Sequence, residues 1–89
     1  MEFKNLYKAR IFDKERIQRA KDNGDQLMIQ IATTGFTIYY LADNFENAFG
    51  RATFLGSRRA AELDRSCQFK CKNIEIGSVD LVQEEIIAD

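Results

Sequence analysis

These 89 residues predict an α+β domain: an antiparallel sheet of about four to five strands, one long helix packed across it and a short N-terminal helix. Three observations carry that expectation. Alternating apolar and polar runs, interrupted by Gly, mark strands and tight turns. One longer stretch, residues 44–66, repeats apolar and small residues at helical spacing. The chain also contains no Pro and only five Gly, so it has few forced breaks and favours regular elements joined by short turns.

Taken in order, residues 3–12 open the chain. Tyr7, Ala9 and Ile11 alternate as in a strand, whereas Phe3, Leu6, Tyr7 and Ile11 also suit a helix; strand is the preferred reading. Residues 13–23 read as a short, charged surface helix. Asp13 can cap it, Phe12 and Ile17 have the spacing of a hydrophobic staple, and Gly24 stands where a helix stops. Leu27, Ile29 and Ile31 then alternate with Met28, Gln30 and Ala32, and Thr33-Thr34-Gly35 precedes the aromatic, β-branched run 36–41. Two such runs about a short Gly-containing turn predict a β-hairpin.

Asp43 or Asn44 starts the long helix. Phe45, Phe49, Ala52, Gly56, Ala60 and Leu63 share one side of it, and the small residues allow close approach to a sheet. Gly50 and Gly56 each cost about 1 kcal/mol relative to Ala in a helix interior, so a break at either is the alternative. Beyond it Cys67, Phe69 and Cys71 alternate as a strand. Ile74-Glu75-Ile76 and Val79-Asp80-Leu81 flank Gly77-Ser78 as a second hairpin, although that register sets Glu75 against Asp80. Residues 82–88 extend the sheet or form a short helix.

Composition bounds the rest. One domain, residues 1–89, is the expectation for this length. A formal net charge of -1 argues against a strongly basic nucleic-acid binder and against a polyanionic mimic. The charge is nonetheless bipolar. Every charged residue after Asn73 is acidic, whereas Arg51, Arg58, Arg59, Arg65, Lys70 and Lys72 precede it in one stretch. As strand residues Cys67 and Cys71 would lie about 13 Å apart, too far for a disulfide. With no apolar leader and no apolar run of membrane length, the expectation is a cytoplasmic protein with reduced thiols.

Catalytic patterns are missing. There is no His, the residue most often recruited for proton transfer near neutral pH, and no imidazole to activate a cysteine. Gly56-Ser57 and Gly77-Ser78 lack the flanking glycines of a nucleophile elbow. The two cysteines fall short of the four ligands usual in a structural zinc site. The expectation is a non-enzyme without cofactor or metal, and no segment carries the signature of a known family.

Two surfaces could carry function. On a continuous long helix Asn47, Arg51, Phe54, Arg58, Ala61 and Arg65 point away from the apolar side. Aromatic and Arg residues are the types enriched at binding hot spots. In the strand 36–41, alternation sets Tyr39 on the face opposite Phe36, Ile38 and Tyr40, where an uncovered aromatic can stack a base. The expected function is a non-catalytic protein–protein interaction module using Arg51, Phe54, Arg58, Arg65 and Tyr39. Its size and type are those of small phage- or mobile-element inhibitors and adaptors that occupy a partner's surface. The alternative is nucleic-acid binding through the arginine-rich helix face. Self-association as a homodimer, through an exposed strand edge or the same Phe54 face, fits either reading.

Overall fold

The computed structural model describes residues 3–64 and 73–87. In chain order they form β1 (Phe3–Asp13), α1 (Lys14–Asn23), α2 (Gln26–Thr34), β2 (Phe36–Ala42), α3 (Phe45–Leu63) and β3 (Ile74–Ile87). The sheet has three strands in the order β2-β1-β3, both pairings antiparallel. The architecture is therefore α+β with an antiparallel sheet, as expected, and the described residues form three strands and three helices where four to five strands and two helices were expected across the chain.

β1 is the central strand, and its odd-numbered residues supply the core. Tyr7, Ala9 and Ile11 are buried with Tyr40 and Ala42 of β2 and Val79 of β3, against Ala48 and Ala52 of α3. The Tyr7 and Tyr40 rings stack at 6.4 Å between centroids. The Tyr40 hydroxyl, also buried, donates to the Ala48 carbonyl at 2.6 Å, which pins the first turns of α3 to the sheet.

The first helix follows the sequence closely. Asp13 caps α1, its carboxylate accepting from the Arg16 N–H at 3.1 Å, and Gly24 ends it at φ 69°. α2 corrects the expected hairpin, because residues 27–32 are helical. Asp25 accepts from the N–H groups of Leu27 and Met28 and so caps a helix there. Gln30 is the lone polar residue from Leu27 to Ala32, so the alternation was slight and the same residues also satisfy a helical period. The β-branched pair that closes α2 is accommodated by back-bonding: Thr33 and Thr34 hydroxyls donate to the Ile29 and Gln30 carbonyls, each at 2.8 Å. Gly35 then reverses the chain at φ 73°, ψ −165°, where a Cβ would come within 2.5 Å of the Ile11 carbonyl oxygen.

The second expected hairpin is also absent. β3 runs unbroken through Gly77-Ser78 because β1 offers an 11-residue template along its length. Gly77 is absorbed in a register shift between Arg10↔Ser78 and Ile11↔Ile76, and its missing side chain leaves room for the Phe12 ring. Glu75 and Asp80 thus lie on one strand, and Asp80 faces Lys8 across the ladder. Residues 82–87 continue the strand. The strand expected around Cys67 and Cys71 lies outside the described residues.

α3 is continuous through Gly50 and Gly56, with the Asn44 side chain accepting from the Asn47 N–H at 2.8 Å. Its buried side differs from the expected stripe. Ala48, Ala52, Gly56 and Ala60 are buried, one row of small side chains at four-residue spacing, with Ser57 buried beside it. Phe45 and Phe49 belong to the next row and are about half exposed, as is Leu63. The expected stripe joined two rows; the sheet seats the row that lets the backbones come closest. At Gly56 a Cβ would already lie 2.8 Å from Ile11 Cδ1 and 2.9 Å from Ile74 Cδ1.

Candidate partner-binding surface

With the small-residue row against the sheet, the opposite side of α3 is turned outward. Arg51, Phe54 and Arg58 succeed one another there at spacings of three and four residues, spanning about 10 Å of helix, and all three are exposed. Phe54 retains 56% of its surface. The Arg58 guanidinium carbon sits 5.8 Å from the centroid of the Phe54 ring, within cation–π range. At an exposed site such a contact is worth about 0.5–1 kcal/mol, which biases the ring's position. Neither Arg51 nor Arg58 has a carboxylate partner among the described residues. Arg59, one residue around the helix, is paired with Glu62 at 3.1 Å. Chemically the strip is a flat aromatic between two unpaired, bidentate cations, suited to a surface that is apolar at its centre and acidic around it.

The sequence brought Tyr39 into the same set, and the structure separates it. Tyr39 stands on the sheet face opposite α3, 65% exposed. Across the ladder it is beside Lys8, which faces Asp80 in turn. Arg10 on the same face donates to the Thr34 carbonyl and to the Thr37 hydroxyl. Arg65 lies outside the described residues. Of the five residues singled out, the structure therefore unites Arg51, Phe54 and Arg58.

One feature had no sequence signal. A half-open cleft of about 360 Å³ lies where α1, α2 and the end of α3 meet, walled by Ala20, Met28, Ile31, Phe36 and Leu63. One ion pair in its wall links α1 to the end of α3. Asp13 caps α1, and Arg19 meets Asp64 at 2.8 Å, the hydrogen bond that chiefly raises the Arg19 pKa above its ordinary value. Recognising this cleft requires α2 to be a helix, which residues 27–32 did not announce.

Among the described residues no three His, Cys, Asp or Glu side chains gather as a metal site, and no helix is long and apolar enough to cross a membrane. Compared with known proteins, the chain matches no family model, no curated protein and no solved structure.

Proposed function

We propose that this chain is a non-catalytic protein-binding module whose outer α3 face docks on a partner and occupies its surface. The observation that carries the reading is the Phe54–Arg58 pair: an aromatic exposed in mid-helix, ordered by a guanidinium over its ring, with Arg51 one turn before it. A helix needs only its sheet-facing row for folding, and this strip lies on the other side. The partner it suits presents an apolar pocket rimmed by carboxylates. Nucleic acid is the weaker reading, because Arg59 is neutralised by Glu62 and Tyr39 is remote from the arginines.

The test is affinity capture from a cell lysate, with and without nuclease, comparing wild type with Phe54→Ala and Arg58→Glu. Both variants should keep the wild-type circular dichroism spectrum and melting temperature. Each should lose a nuclease-resistant protein partner, with at least a tenfold fall in affinity, about 1.4 kcal/mol, once the partner is purified. Unchanged capture by both variants would refute this face as the binding surface. Capture that disappears with nuclease and falls steeply with salt would move the assignment to nucleic acid.

A further inference from the structure

The two edges of the sheet are built differently. β3 carries Glu75, Asp80, Glu84 and Glu85 and no basic residue. Its pairing with β1 shifts register at three places, and Glu85 takes a positive φ of 55°. Like charges and bulges are the means by which an edge strand is kept from pairing with another chain. β2 has neither. Its seven residues, Phe36–Ala42, include no charged residue, no Pro and no Gly. Its register with β1 runs unbroken from Asn5↔Ala42 to Ile11↔Phe36. Among the described elements only β1 and α3 pack against it, so its outer row of N–H and C=O groups faces away from the sheet.

We propose that β2 pairs antiparallel with β2 of a second copy of this chain, joining two three-stranded sheets into one sheet ordered β3-β1-β2-β2-β1-β3. Overlap of the whole strand puts Tyr39, its midpoint, on the two-fold axis. On the α3 side Phe36 then faces Ala42 of the second copy, and Ile38 faces its Tyr40. On the other side Thr37 faces Leu41 and Tyr39 faces its own copy. Every pair is uncharged and most are aromatic or β-branched, the combination that favours cross-strand packing. Self-pairing through β3 would instead gather the four carboxylates of each copy along one seam. The contact also covers the ring of Tyr39, the more exposed of the two β2 tyrosines. Three strand spacings separate the two copies of β1, about 14 Å. Because α3 packs across all three strands of its own sheet, the two α3 helices are spaced beyond the 8–10 Å of packed helices and do not collide. The outer α3 faces stay open in this arrangement.

Sedimentation equilibrium of the full chain under reducing conditions tests the pairing across a dilution series. Wild type should show twice the 10.3 kDa chain mass at high concentration and approach the single mass on dilution. Tyr39→Phe should behave alike. Tyr39→Lys, which sets two ammonium groups face to face at the axis, should remain monomeric throughout with an unchanged circular dichroism spectrum. If that variant fails to fold, Thr37→Lys, which sets an ammonium group against Leu41 of the second copy on the same exposed face, disrupts the seam instead. Hydrogen exchange supplies a second readout: β2 amides should slow with rising concentration in wild type and not in the lysine variant. A wild type that stays monomeric at every concentration, or a folded lysine variant that dimerises as well as wild type, would overturn the proposal.

Discussion

Two glycines in one helix should respond oppositely to the same substitution. Gly50 and Gly56 both lie inside α3, and in each the change to Ala removes about 1 kcal/mol of helix-propensity cost. At Gly50 an added Cβ meets nothing within 4 Å, so the full gain should appear. At Gly56 the Cβ would lie 2.8 Å from Ile11 Cδ1, 2.9 Å from Ile74 Cδ1 and 3.1 Å from Ile11 Cγ1. Ile11 is fully buried, so its tip cannot swing aside without displacing its neighbours in the core. Overpacking of this kind costs roughly 1–3 kcal/mol. Gly50→Ala should therefore stabilise by about 0.5–1 kcal/mol, whereas Gly56→Ala should destabilise by up to about 2 kcal/mol. Urea titration followed by circular dichroism reads both values. In a domain of this size each kcal/mol moves the melting temperature by about 4–8 °C. Equal stabilisation by the two substitutions would show that α3 does not rest on Ile11 through Gly56, and the assignment of the buried row would fall.

Two further substitutions probe the sheet. Gly35→Ala requires a positive φ and places a Cβ against the Ile11 carbonyl oxygen, backbone that cannot move out of the way. It should cost at least about 2 kcal/mol, and a change within experimental error in urea would refute the turn geometry. Tyr40→Phe removes the hydroxyl that donates to Ala48 and should cost about 1 kcal/mol at neutral pH. Burial is the main cause that raises the Tyr40 pKa above its ordinary 10.0, with Arg51 opposing it. Its stabilising effect is therefore complete below pH 10 and is lost as pH rises from there through the folded-state pKa, because the unfolded chain releases the proton first. Denaturation at alkaline pH should show wild type losing stability faster than Tyr40→Phe; parallel pH profiles would count against a buried, hydrogen-bonded tyrosine.

The elements that the sequence made legible are those with a local punctuation mark as well as a period. α1 has both Asp13 at its start and Gly24 at its end, and α3 has Asn44. The two misread segments failed for different physical reasons. Residues 27–32 are so uniformly apolar that neither period dominates, and the deciding group was Asp25, a cap two residues upstream of the apolar run. Gly77-Ser78 satisfies a two-residue hairpin locally, but β1 extends long enough to pair with residues on both sides of it. Long-range pairing of that kind leaves no trace in a local pattern.

The surface was legible to the extent that helical geometry alone determines it. Arg51, Phe54 and Arg58 follow from 100° per residue once α3 is continuous, and the cation–π contact follows from a four-residue spacing. Tyr39 could not be placed relative to them, because alternation says which residues share a face and not which face the helix covers. The acidic end of the chain shows the same limit from another direction. As sequence, Glu75, Asp80, Glu84 and Glu85 read as half of a bipolar charge distribution. Set on β3 they acquire local work. Asp80 faces Lys8, the Glu85 N–H donates to Asn5 at 3.1 Å, and all four line an edge that like charge keeps from adding a strand. The same rule applied to the other edge finds no charge between Phe36 and Ala42, so the chain's charge asymmetry becomes an asymmetry of sheet edges, with β2 left as the one suited to pairing.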